Sequence, residues 1–199
     1  MSHKLYPGSI ISKTAPTVVG PVLGEGGSAS GIWTIDQANY YIANGTWPKP
    51  PLTGSLYAWG KNGFGQLGLG AVGSYSSPKQ VGALTNWLNL SAGYYYAVGV
   101  QTNGTLYSWG YNAWGQLGLG NRTSYNSPKQ VGVLTNWISA RGGGIHTLAI
   151  KTDGTLWSWG YDAQGQLGLG NTTPYSSPTQ VGSLTNWSKV AGSNFSSFA

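Results

Sequence analysis

The sequence predicts an all-β repeat protein, and three observations carry that prediction. A Trp-Gly pair recurs at Trp59-Gly60, Trp109-Gly110 and Trp159-Gly160, a period of fifty residues without insertion. Asn103-Gly104 and Asp153-Gly154 stand between apolar runs, where a hairpin accepts positive φ angles. Thirty-three glycines and ten tryptophans against 7% charged residues disfavour both an ordinary helical domain and a charged disordered chain. A period of fifty is the mark of a propeller or a solenoid rather than a single globular core.

Residues 1–50 stand outside the repeat. Lys13–Gly31 is rich in Gly, Pro, Ser and Val and predicts an extended segment. Thr34 with Gln37 forms a capping box, Ile35, Ala38, Tyr41 and Ile42 recur at helical spacing, and Gly45 ends the pattern. This predicts a short helix over 34–43, joined to the repeats by a stiff connection at Pro48, Pro50 and Pro51. A helix of that length needs a surface to lie on. Trp33, Tyr40, Tyr41 and Trp47 are therefore the anchoring candidates.

The repeat then occupies 51–100, 101–150 and 151–199, the last unit incomplete. Val98–Val100 and Leu106–Trp109 read as strands on either side of Asn103-Gly104, with Leu106 and Ser108 facing opposite to Tyr107 and Trp109. Pro78-Lys79-Gln80-Val81 and its copies read as a short strand near a sheet edge, entered through proline. Between these strands lies Gly-Gln-Leu-Gly-Leu-Gly, at 65–70, 115–120 and 165–170. Its first copy, extended back to Gly63, matches Gly-x-Gly-x-x-Gly, the spacing of a dinucleotide-phosphate loop. Phosphate binding needs a helix after the loop. After Gly70 comes AVGSYSSPKQVG, too rich in Gly, Ser and Pro for a helix, so the glycines are assigned to sharp turns and close sheet approach. Leu67, Leu117 and Leu167 are expected to fill the gaps between successive repeats.

Trp-Gly, Gly-Gln-Leu-Gly, Ser-Pro-x-Gln-Val and Gly143–Ala149, which carries His146-Thr147-Leu148-Ala149, together resemble the repeat of the RCC1 family, the regulator of chromosome condensation. The resemblance covers about Leu56 to Ala199 and implies a β-propeller with blades of about four antiparallel strands. A ring of roughly 4–8 blades needs more than three units. The expectation is that further repeats of a longer chain complete it, with assembly of several short chains as the alternative. Gly31–Pro48, with its Gly-x-Trp-x-x-x-Gln-x-x-x-Tyr-Tyr pattern, is similar to segments of bacteriophage structural proteins, particularly marine ones. That resemblance implies a tether docked on a capsid or tail, and a propeller displayed outward.

Chemistry is sparse. The four acids are Glu25, Asp36, Asp153 and Asp162; the last two align with asparagines, which points to turns rather than acid–base work. His146 aligns with Tyr96 and Ser196, a structural position. No catalytic residue, cofactor or metal site is expected, and no cysteine is present. The formal charge of +6 reflects a scarcity of acids more than an abundance of Lys and Arg; the basic residues are scattered, against nucleic-acid binding, and no apolar run is long enough to span a membrane.

Recognition is assigned to the surface. Tyr75, Tyr125 and Tyr175 recur in a polar loop, while Trp114 and Arg122 stand where the units differ. The resulting expectation is a non-enzymatic virion protein, made in the host cytoplasm and present in several copies. Residues 1–50 would bind other virion proteins, and the propeller would serve host attachment through a surface glycan or protein. The alternative is a soluble propeller acting as a protein-interaction and regulatory module.

Overall fold

The computed structural model describes residues 54–199, all strand, turn and loop. The predicted helix over 34–43, and with it Trp33, Tyr40, Tyr41 and Trp47, lies outside the described residues. Two four-stranded antiparallel sheets form the centre. The first joins β3 (Trp87–Ala92), β4 (Tyr96–Gln101), β5 (Leu106–Gly110) and β6 (Tyr125–Gln130), in that order. The second repeats it with β7 (Trp137–Gly142), β8 (His146–Lys151), β9 (Leu156–Gly160) and β10 (Tyr175–Gln180). Before them stands a pair, β1 (Tyr57–Gly60) with β2 (Tyr75–Gln80), and after them another, β11 (Ala191–Gly192) with β12 (Ser197–Phe198).

Each sheet is one blade, and the sequence units straddle the blades. A unit counted from residue 101 supplies most of the outer half of one sheet, β5 and β6, and the inner half of the next, β7 and β8. Sequence periodicity has a length but no phase: 51–100, 101–150 and 151–199 are units of sequence, and the sheets are cut at other points. By the same rule β1 and β2 are an outer half-blade, and β11 and β12 an inner one.

The hairpin at 101–106 differs in detail from the expectation. Only Gly104 and Gly154 take the left-handed conformation there, at φ 79° and 75°; among the described residues no non-glycine residue does so. Asn103 instead accepts hydrogen bonds through Oδ1 from the Thr105 N–H (3.1 Å) and the Thr105 hydroxyl (2.7 Å). Asp153 does the same with Thr155, at 3.0 and 2.6 Å. The Asn or Asp thus closes the turn with its side chain, leaving the strained backbone position to glycine.

Pro128 sits inside β6, an outer edge strand, as the missing donor requires. The register skips there: Ser108 faces Lys129 while Gly110 faces Tyr125, so the bulge holds the proline.

Strands β5 and β9 are buried on both faces, not one. Leu106, Ser108 and Trp109 are buried together, and so are Leu156, Ser158 and Trp159, because each sheet is covered by its neighbours. The core therefore lies between blades: Val98, Val100, Leu106 and Val131 of the first sheet pack with Trp137, Ala140, Ala149 and Trp159 of the second.

The glycine-rich run forms the joint. Trp159 donates its indole N–H to the Gln116 carbonyl at 3.0 Å, and Trp109 does so to Gln66 at 3.0 Å. A Cβ on Gly118 would stand 2.6 Å from the Trp159 indole nitrogen, and Gly118 has φ 72°. Glycine is thus required twice, by backbone conformation and by the ring that rests on it. Leu117 and Leu167 are buried beside these runs as expected.

Candidate functional site: an aromatic face at the loop end of the blades

Strand register places several loops at one end of the sheets. Tyr96 faces Gly110, which faces Tyr125, so the residues just before 96, just after 110 and just before 125 emerge together. In the next blade His146, Gly160 and Tyr175 do the same. The hairpins at 101–106 and 151–156 lie at the opposite end.

This loop end carries a cluster of aromatic rings. Phe64 packs at 4.9 Å from both Tyr95 and Tyr111, and Tyr95 lies 6.2 Å from Tyr94. One blade further, Trp114 meets Tyr161 edge-on at 4.8 Å. Phe64, Tyr94, Tyr95 and Trp114 are all exposed, from 36% to 58%. Lys61 places its ammonium 5.6 Å over the Tyr95 ring. Large aromatic rings held in water, packed tilted or edge-on against one another, are the composition of a recognition surface rather than of a core.

The rings stand on braced loops. Gln66 Oε1 accepts the Phe64 N–H at 2.9 Å, and Gln116 Oε1 the Trp114 N–H at 3.0 Å. Asn62 Oδ1 takes the Leu67 N–H and Asn112 Oδ1 the Leu117 N–H, each at 2.9 Å. Asn112 Nδ2 also donates to the carbonyls of Asn121 (3.1 Å) and Thr123 (2.9 Å), tying together the loop that presents Arg122. The third unit keeps this brace, with Gln164 N–H on Gln166 Oε1 at 3.0 Å, but puts Gln164 where Phe64 and Trp114 stand. The face therefore passes from aromatic to amide across the blades.

Beneath the face, the blades are sewn by a buried polar seam. The Tyr96 hydroxyl donates to the His146 carbonyl and lies 3.1 Å from Thr147 Oγ1; Thr147 Oγ1 is 2.8 Å from the Gln116 carbonyl. One blade on, Ser197 donates to the Gln166 carbonyl at 2.6 Å, so His146 Nε2 carries the proton it shares with Ser197 Oγ at 2.9 Å. The tautomer is set by that proton count. Burial pushes His146 down to about 4 and the Tyr96 phenol well above its usual range, so both are neutral near neutral pH.

The structure brings only part of the predicted set together. Trp114 lies in the face, and Arg122 is exposed on the adjoining loop. Tyr75, Tyr125 and Tyr175 are half-buried on the edge strands. Tyr125 has Lys129 5.5 Å over its ring, and Tyr175 packs on the core with its hydroxyl 3.3 Å from Asn171 Nδ2. Lys61, Tyr94, Tyr95, Tyr111 and Tyr161 were missed. The run Tyr94-Tyr95-Tyr96 was the available signal, but Tyr96 points into the seam while its neighbours do not. Among the described residues, no group of three or more His, Cys, Asp or Glu side chains could hold a metal ion.

Stacked antiparallel blades joined by tryptophan, with a braced loop face, define the class: a β-propeller repeat scaffold. The profile described as "Regulator of chromosome condensation (RCC1) repeat" matches residues 53–100, 103–150 and 153–199, and a second profile of the same description matches 139–166. The chain belongs to the RCC1 repeat family. No curated protein matches it. Among solved structures it is similar to Prp20p from Saccharomyces cerevisiae, described with its binding properties to Gsp1p and histones, at 22% identity and a TM-score of 0.65, covering 70% of this chain and 38% of that one. A second structure, yeast RCC1 (Prp20) with Kap60 bound to it, matches at 22% identity and 0.60, over 71% and 36% of the two chains. Human WBSCR16 matches at 19% identity and 0.53, over 72% and 52%. The chain thus spans less than two-fifths of the yeast protein and about half of the human one.

Proposed function

We propose that this chain is a non-enzymatic binding module that engages a partner through the aromatic face at its loop end. The observation that carries the reading is the exposure of Phe64, Tyr94, Tyr95 and Trp114 on loops held rigid from below. Exposed rings on a preformed frame bind with little ordering cost. The described acids do not compete there: Asp162 is fully buried, and Asp153 sits in a hairpin at the opposite end. Such a surface suits stacking on sugar rings or on the apolar and aromatic side chains of a protein. The binding of Gsp1p, histones and Kap60 by the yeast relative supports a protein as the class of partner.

The setting we propose is a virion. Residues 1–50 dock on other capsid or tail proteins, and the propeller presents its aromatic face to a host-surface glycan or protein; the resemblance of Gly31–Pro48 to phage structural segments supports this. A cellular propeller regulating a protein partner would use the same face without the tether.

The test is binding of the wild-type chain to a glycan array and to candidate virion proteins, against the variant Phe64→Ala, Tyr95→Ala, Trp114→Ala. Leu134→Ala, an exposed position at the opposite end, is the control. Loss of binding by about tenfold or more in the face variant, with the control unchanged, is expected. Equal binding by all three proteins refutes the proposal.

A further inference from the structure

The rings of the loop end form two copies of one arrangement on adjacent blades. In the first, Phe64 packs at 4.9 Å from both Tyr95 and Tyr111. In the second, one fifty-residue repeat further on, Trp114 stands 4.8 Å from Tyr161, with Ile145 at the place of Tyr95. One brace fixes both: the Phe64 N–H on Gln66 Oε1, and the Trp114 N–H on Gln116 Oε1. The frame accepts a polar residue there, because the third unit carries Gln164 on the same brace. Two large exposed rings at a position where the fold makes no such demand point to a ligand outside it.

Charge narrows the ligand. Lys61 holds its ammonium 5.6 Å over the Tyr95 ring in the first copy. Arg122 is exposed on the loop that Asn112, two residues before Trp114, ties down in the second. Among the described residues the two acids lie elsewhere, Asp162 buried and Asp153 in a hairpin at the opposite end. A face with cations and no carboxylate attracts an anion. These cations are single residues on separate loops, not the dense basic run, of about five or more, that a heavily sulfated chain calls for. A ligand with one carboxylate per unit suits them.

The repeat decides between a glycan and a protein. Subsites of one chemistry on successive blades match a ligand that repeats itself, as a linear polymer of sugars does and a folded protein surface does not. Resting on the binding face proposed above, we infer that the two subsites together hold a linear oligosaccharide of a uronic acid. One sugar ring stacks at Phe64 and a later one at Trp114, while Lys61 and Arg122 pair with carboxylates. Packed sheets stand about 10 Å apart, a span that one sugar ring cannot bridge and a short chain can. Once one ring is seated the next binds as an intramolecular event, so affinity rises with chain length.

The test is calorimetric titration of the full chain with galacturonate, glucuronate and mannuronate, each as monosaccharide and as hexasaccharide. The same hexasaccharides with their carboxylates reduced to alcohols complete the set. At least one hexauronide should bind about a hundredfold tighter than its monosaccharide. Reduction should weaken it by about fivefold, the effect of exposed ion pairs. Phe64→Gln and Trp114→Gln, each placing on the brace the residue that the third unit already carries there, should singly remove most of the gain with length. Leu134→Ala, at the opposite end, should keep it. With Lys61→Gln and Arg122→Gln combined, acidic and reduced hexasaccharides should bind alike. Equal binding of acidic and reduced chains by the wild type, a gain with length that survives both ring variants, or no hexauronide bound overturns the inference. A protein partner bound by the wild type and lost in the Phe64→Ala, Tyr95→Ala, Trp114→Ala variant, with no uronide bound, overturns it and leaves the binding face standing. If neither a glycan nor a protein distinguishes that variant from the wild type, both fall.

Discussion

Asp162→Asn should stabilise this protein at neutral pH and remove a specific pH dependence. Asp162 is fully buried and holds the Leu167 N–H through Oδ1 at 2.8 Å, as Asn62 and Asn112 hold their own leucines. Its other oxygen has no protein partner. In the sister units that place is an amide donor: Asn62 Nδ2 reaches the Ala71 carbonyl at 2.8 Å, and Asn112 Nδ2 reaches those of Asn121 and Thr123. Asp162 thus aims an acceptor where the frame wants a donor, a mismatch that only a protonated carboxyl satisfies. Burial raises its pKa, with the Leu167 N–H opposing. Its favourable contribution is therefore complete below the unfolded value of about 3.9 and is lost as pH rises through the folded value. An unpaired buried polar group costs about 1–3 kcal/mol, so Asp162→Asn should gain that much at pH 8 and close to nothing at pH 4. For a domain of this size the gain is about 2–4 °C in Tm per kcal/mol. Thermal unfolding of both proteins across that range reads the difference directly. A lower Tm for Asp162→Asn at pH 8, or a gap that does not change with pH, would refute the reasoning.

Two further outcomes are expected. A Cβ at Gly143 would stand 2.2–2.7 Å from the His146 ring, so Gly143→Ala should cost about 1–3 kcal/mol by denaturant unfolding; an unchanged midpoint would show the seam to be looser than described. On the virion role proposed above, removing residues 1–45 should abolish incorporation into particles. Particles that still take up the shortened chain would remove the tether from the account.

Much of the scaffold was legible because it repeats. The invariant Gly-Gln-Leu-Gly run had to serve every unit alike, which set aside a phosphate loop and pointed to a joint. Phase and direction lay outside the pattern. Nothing in a fifty-residue period says that β5 and β7 belong to different sheets, and nothing in Tyr94-Tyr95-Tyr96 says which ring turns inward. The recurring tyrosines Tyr75, Tyr125 and Tyr175 drew attention for their polar neighbours, yet edge-strand packing half buries them. Trp114 was legible for the opposite reason: it varies among the units, where the frame makes no demand. Trp59 shows the limit of copying one unit's environment onto another, since its burial depends on a seat supplied by a different blade.

The most direct measurement is the exchange rate of the individual tryptophan indole protons by NMR in dilute solution, each assigned by its Trp→Phe variant. Trp109 and Trp159 should exchange slowly, locked on the Gln66 and Gln116 carbonyls, and Trp59 should exchange as freely as a solvated side chain. Equal, rapid exchange at all three positions would mean that the glycine-rich runs are not the joints between blades.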